Sequence, residues 1–177
     1  MSRAADRATD IGSGIDIVIE DRRWTRALPR VESLCRRFAL AALAGQAGPA
    51  GIRIALAGDA AIRELNHQFR GIDRPTNVLS FPAHDDETDP AADPGGLGDV
   101  MIAYETTTRE ARAEGIALAA HLAHLVVHGV LHLRGHDHLR AAEAEAMEML
   151  ESELLTRLGI TDPYAGQYAV KMAEGRP

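Results

Sequence analysis

The chain has 177 residues, with 19 Lys and Arg against 26 Asp and Glu, for a formal charge of -7. That length suits a single domain, and the acidic balance argues against a general nucleic-acid binder, a class that is usually basic. No apolar run approaches the ~20 residues of a membrane span. The single cysteine, Cys35, excludes an internal disulfide and a cysteine-built zinc site.

Residues 1–14 are polar and lack the apolar core of a signal peptide, so they are expected to form a disordered leader on a cytoplasmic protein. Residues 15–20 alternate Ile, Asp, Ile, Val, Ile, Glu, which predicts a first strand. Residues 26–43 place Leu28, Val31, Leu34, Cys35, Phe38 and Leu43 at helical spacing, with Gly45 and Gly48 after them. Cys35 is expected to be a small buried residue. Residues 52–57 form a second strand, and Asp59 is a candidate N-cap for a helix over 60–69. Pro75 and Pro82 bracket a third strand over 76–81. The acidic, Pro- and Gly-rich stretch 83–96 is expected to be an exposed loop of the kind that borders functional sites. A fourth strand over 100–104, a helix over 106–114, an apolar helix over 117–133 and an amphipathic helix over 141–158 complete the chain. Arg22, Arg23, Arg26, Arg30, Arg36 and Arg37 near the start, and Glu143, Glu145, Glu148, Glu151 and Glu153 near the end, are expected to be solvated helix faces.

Strands and helices alternate early and two long helices close the chain. The expected fold is α+β: a small four-stranded mixed sheet with about five helices packed on it. One domain over 15–165 and a tail over 166–177 are expected.

The chemistry concentrates in His128-Gly129-Val130-Leu131-His132-Leu133-Arg134-Gly135-His136-Asp137-His138. Histidines four apart on a helix share one face, about 6 Å apart along the axis, so two imidazoles can meet one ion. Glycine tolerates the left-handed conformation that ends a helix, so Gly135 lets the chain turn and bring His138 to the same ion. Three protein nitrogens leave one position for water, the arrangement of a catalytic zinc, at which water becomes acidic enough to supply hydroxide near neutral pH. His ligands also suit Ni, Cu or Fe. His121 and His124 are less clear, and His124 is expected in the core or behind the ligands. His136 is expected to point elsewhere. Asp137 either orients a ligand imidazole or caps the next helix.

The spacing H-x-x-x-H-x-x-G-x-x-H is shared with a class of zinc proteases, in which a Glu follows the first His and acts as general base. Here that position is Gly129, which removes the proton acceptor and leaves room beside the ion. A phosphodiester needs positive charge near its non-bridging oxygens, and Arg70 is the candidate to supply it. Asn77 and Ser80 are expected to serve backbone pairing.

The segment His128 to His138, the segment Arg70 to Pro82, the tetrapeptide Leu97-Gly98-Asp99-Val100 and the stretch Leu158 to Tyr164 together resemble the YbeY family of bacterial rRNA-maturation endoribonucleases. The resemblance spans about 15–164, and departs at His136, where the family commonly has Tyr. It implies a single-strand-specific, zinc-dependent endoribonuclease acting on 16S rRNA 3′ ends and in 70S ribosome quality control, with the ribosome or its small subunit as partner and no membrane. It implies one zinc ion on His128, His132 and His138, and a functional arginine at Arg70. The alternatives are a ribosome-associated assembly factor with a mainly structural metal and, less well supported by Gly129, a zinc peptidase.

Overall fold

The computed structural model describes residues 14–44, 51–83, 96–136 and 141–161. The predicted leader up to residue 13, most of the predicted loop, the predicted tail, Asp137 and His138 lie outside the described residues.

The elements are β1 (Ile15–Ile19), α1 (Arg23–Ala27), α2 (Val31–Leu43), β2 (Gly51–Ala57), α3 (Asp59–Arg70), β3 (Val78–Pro82), β4 (Gly96–Ala103), α4 (Tyr104–Glu114), α5 (Leu118–Leu133) and α6 (Ala141–Arg157). They form a mixed four-stranded sheet in the order β1-β2-β4-β3. β1, β2 and β4 run parallel, and β3 pairs antiparallel to β4 at the edge. The α+β class and the four-stranded mixed sheet are as expected, with six helices among the described residues.

Alternation along the strands divides the core between two faces. Ile52, Ile54 and Leu56 of β2 and Val100 and Ile102 of β4 join the large cluster under α2, α5 and α6. Leu79 of β3 and Ala103 of β4 face the other way and meet Ile62 of α3, with Leu65, Phe81 and Met101 at the margin. Helix α5 is therefore the central element of one layer, and α3 lies on the opposite side of the sheet.

Three local differences from the sequence pattern have physical causes. The single helix expected over 26–43 is two, because Pro29 lacks an N–H and disfavours the helical conformation before it; Leu28 is extended at φ -133° and ψ 88°. The short α1 is held instead by Trp24, which is fully buried and donates its indole N–H to Ala57 O at 3.0 Å. Asp59 does not cap its own helix, whose N-cap is Gly58. Its carboxylate accepts from Thr106 N and Thr106 Oγ1, both at 2.9 Å, near the start of α4. Glu105 of α4 returns the bond by accepting from Asp59 N at 2.8 Å. Each helix thus satisfies an unpaired N–H of the other. The third strand begins at Val78 because Asn77 Oδ1 accepts the Val78 N–H itself, at 2.8 Å. It includes Pro82, which an edge strand tolerates.

The arginine run is only partly solvated. Arg36 donates to Ile15 O at 2.8 Å and Arg37 to Leu158 O at 2.7 Å, joining α2 to the first strand and to the end of α6. Cys35 is buried, and burial pushes its thiol up to about 12, so it is an inert core residue. Among the described residues no single helix is long and apolar enough to cross a membrane.

Candidate metal centre

Helix α5 presents His121, His124, His128 and His132 along its length, while Leu122, Ala123, Leu125, Val126, Val127, Val130 and Leu131 bury the rest of it. Gly129 permits this packing. A Cβ there would stand 2.6 Å from Val100 Cγ1 and 3.3 Å from Ser80 Oγ. Ser80 Oγ donates to Gly129 O at 3.2 Å, pinning the helix to β3. The position after the first histidine therefore faces the sheet. This corrects the expectation that the glycine clears space beside an ion: it clears space for β4, and a Glu has no room there.

The helix ends as expected. Gly135 has φ 85°. His136 N bonds Leu131 O at 3.1 Å and Gly135 N bonds His132 O at 2.9 Å, the paired closure of a Schellman turn. The turn has a second effect, because it carries His136 O to 3.0 Å from His132 Nδ1. A carbonyl only accepts, so His132 Nδ1 carries a proton, and in the neutral ring the lone pair is on Nε2.

His128 is fixed in the same way by a different group. Its Nδ1 lies 2.7 Å from Oε1 of Glu151 in α6, and as a carboxylate Glu151 accepts that N–H. In the neutral His128 ring the lone pair is then on Nε2, which stands 3.1 Å from His132 Nε2. Two ring nitrogens at that distance are matched either by a shared proton or by a metal ion between them. Two ligand atoms on a tetrahedral zinc at ~2.0–2.1 Å are separated by about 3.3 Å, so the pair fits one divalent ion.

Glu151 was not legible as a site residue from the charge run that contains it. It is 1% exposed, against the expectation of a solvated face. The signal was its place in the stripe Met147, Glu151, Leu155, where both neighbours four residues away are buried and apolar. Its second oxygen lies 3.2 Å from His124 Nε2, so His124 sits behind the pair. His124, His128 and Glu151 also bring three potential donor atoms within 4.8 Å of one another, a possible metal site in its own right. The 2.7 Å contact is a charge-assisted hydrogen-bond length, shorter than two ligands on one ion adopt, and His128 Nε2 turns away from Glu151 toward His132.

Further up α5, His121 Nε2 meets Glu110 Oε2 at 2.8 Å, and Asn77 Nδ2 donates to the same oxygen at 3.0 Å. Asn77 O also accepts from Ala103 N at 2.9 Å. Asn77 therefore pairs backbone, as its sequence position suggested, and also ties β3 to α4. His136 contributes its carbonyl, while His138 lies outside the described residues.

Arg70 ends α3, is exposed, and precedes Gly71 at φ 69°. Its neighbour Phe69 packs edge-on against Phe81, with ring centroids 5.1 Å apart. Phe81 follows Ser80, which reaches α5 from the other face. The end of α3 and the histidine helix thus flank the edge strand β3 from opposite sides, and no hydrogen bond or ion pair among the described residues joins Arg70 to a histidine.

Fold and site together define a small α+β protein with a convergent histidine pair mounted on a core helix. The family model described as Endoribonuclease YbeY matches residues 19–159. The Endoribonuclease YbeY of Paramagnetospirillum magneticum is 51% identical over 150 residues, covering 81% of this chain and 91% of its own length. That of Rhodopseudomonas palustris (strain ATCC BAA-98 / CGA009) is 49% identical over 154 residues, covering 86% of this chain and 81% of its own. The solution structure of TM1509 from Thermotoga maritima aligns with a TM-score of 0.49 at 24% identity, covering 84% of this chain and 97% of its own. The chain belongs to the endoribonuclease YbeY family.

Proposed function

We propose that the chain is a zinc-dependent, single-strand-specific endoribonuclease that holds one zinc ion through His128, His132 and His138 and binds substrate phosphate through Arg70. The observation that carries the metal is the convergence of His128 Nε2 and His132 Nε2 to 3.1 Å, with the Nδ1 of each ring held from behind by Glu151 and by His136 O. A carboxylate and a carbonyl behind the rings favour Nδ1–H on both, which turns the two Nε2 atoms toward one point where a cation can sit. The ion, when bound, supplies Lewis acidity that makes water acidic enough to deliver hydroxide near neutral pH.

The chain's own groups divide the remaining work. His128 and His132 offer nitrogen ligands whose opposite ring positions are already committed to Glu151 and His136 O. His138 follows the Gly135 turn and is assigned as the third ligand on sequence spacing. Arg70 supplies a guanidinium that can take two phosphate oxygens and offset the charge that develops on them. It and the histidine pair flank an edge strand, and a flexible single strand can bend over such an edge. The family membership supports RNA as substrate. We assign the chain to 16S rRNA 3′-end maturation and ribosome quality control in the cytoplasm, with the small subunit or the ribosome as partner.

The peptidase alternative loses support from the Gly129 contact with Val100, which leaves no space for a general base at that position. The deciding test is cleavage of single-stranded RNA by the purified protein with and without a chelator, alongside His132→Ala. Cleavage that stops on chelation and in the variant is the expected result. Equal cleavage by His132→Ala would remove the histidine pair from the reaction. Chelation that unfolds the chain, with ribosome binding independent of cleavage, would favour the assembly factor with a structural metal.

A further inference from the structure

We propose that Glu151 is the positioning residue of the histidine pair, a role that rests on the metal reading above and deepens it. It holds His128 by its Nδ1–H, so that Nε2 is the nitrogen turned toward His132, and His124 locks the carboxylate in place.

Geometry and burial carry this. Glu151 comes from α6, one helix after the one bearing the pair, and 99% of its surface is covered. A carboxylate is costly to bury unless its oxygens are matched by donors. Here Oε1 takes the His128 Nδ1–H at 2.7 Å and Oε2 takes the His124 Nε2–H at 3.2 Å. With both oxygens engaged, rotation of the carboxylate would break two bonds at once. His128 can then neither rotate nor exchange tautomers without leaving a buried charge unmatched. A carboxylate behind a ligating imidazole also raises the basicity of the nitrogen in front. The His136 carbonyl stands behind His132, and the negative charge of Glu151 stands behind His128.

The test measures zinc dissociation constants of the full-length protein by competition with a chromophoric chelator. Wild type is compared with Glu151→Met, Glu151→Gln, His124→Ala and His132→Ala, and the His128 tautomer is read in the zinc-free proteins from nitrogen–proton correlations in NMR. Glu151→Met is expected to bind zinc about 10–100-fold more weakly and to release the His128 Nδ1–H tautomer. Glu151→Gln keeps the shape and one acceptor but not the charge, and is expected near the 10-fold end of that range. His124→Ala is expected to lose less than Glu151→Met, with one ion per chain throughout.

Wild-type affinity in Glu151→Met overturns the proposal. If that variant does not fold, wild-type affinity in Glu151→Gln does so. Loss of zinc in His132→Ala with none in either Glu151 variant overturns this proposal alone. Retained zinc in His132→Ala, with loss in His124→Ala and Glu151→Met, makes the His124, His128 and Glu151 trio the metal site and overturns the reading beneath as well.

Discussion

Helix α5 carries two histidine–carboxylate contacts of nearly equal length, and only one of them opens onto a site. His121 meets Glu110 at 2.8 Å, and His128 meets Glu151 at 2.7 Å. In the first, the far nitrogen, His121 Nδ1, is buried with no hydrogen-bond partner. In the second, the far nitrogen meets another imidazole across 3.1 Å. A buried His–carboxylate pair is thus no mark of chemistry by itself. What separates the two is the direction of the nitrogen that the carboxylate leaves over. His121 spends its contact on tying α5 to α4 and, through Asn77, to β3. His128 uses the same contact to point a lone pair at a neighbour.

The sharpest way to break the comparison is to remove the neighbour. His132→Ala is expected to lower zinc affinity beyond the ~10–100-fold that a supporting residue costs, and to abolish RNA cleavage, while leaving the circular dichroism of the zinc-free protein unchanged. Equilibrium dialysis and a cleavage assay check both. Gly129→Glu, which would create the missing general base, drives a side chain into Val100 and is expected to destabilise the fold by about 1–3 kcal/mol or more without yielding peptidase activity. Its urea midpoint and a casein-type assay report the two effects.

His121→Leu addresses the other half of the comparison. It is expected to cost about 1–2 kcal/mol, because Glu110 loses one of its two donors, and to leave zinc affinity within about two-fold of wild type, well inside the loss that a supporting residue gives. A large loss of zinc would join the two halves of α5 into one network. Acid should separate them as well. Free His titrates near 6.5, and a protonated imidazole cannot ligate, so zinc affinity is expected to fall as pH drops through the range around and below that value. Flat affinity between pH 8 and about 5 would contradict histidine ligation.

The smallest effect concerns Asp21 and Glu105. The Arg23 guanidinium beside Asp21 holds its carboxyl below the usual carboxylate range. Burial works against ionisation of Glu105, but the Asp59 N–H and Arg23 outweigh it and lower its carboxyl too. Both folded values lie below the unfolded ones. Their stabilisation is therefore present above the unfolded value, near 4, and is lost as pH falls through the folded value. A urea midpoint measured with Asp21→Asn against wild type should show a difference at pH 7 that vanishes near pH 2. Both partners of Arg23 are partly solvated, so the difference should be slight and shrink with salt.

The sequence made the helix pattern and the candidate ligands visible because both are local signals. His128 and His132 are one helical turn apart, and Gly135 marks the turn that follows. The break at Pro29 was also local, yet the apolar spacing on either side hid it. Glu151 and Asp59 depart from their sequence patterns for a deeper reason. Each looks ordinary among its chain neighbours, and its role depends on an element far away in sequence. Glu151 reaches back 23 positions to His128, and Asp59 reaches forward 47 to Thr106. Gly129 stood out by itself, but its reason, a clash with Val100, appears only when α5 lies on the sheet. His138 is assigned on spacing alone.

Because α5 is a core helix, the order of events in making the site is constrained. Its apolar residues are covered by α2, β3, β4 and α6 whatever the histidines hold, so the imidazoles lose their rotational freedom when the chain folds. An ion arriving later would find them already aligned and would have little conformational entropy left to suppress. Metal loading at the His128–His132 pair should then behave as exchange onto aligned ligands, fast and reversible in the native state. That is the opposite of small zinc modules, whose chains fold only around the ion. Scarcity of metal should therefore lower the active fraction of the protein without lowering its abundance.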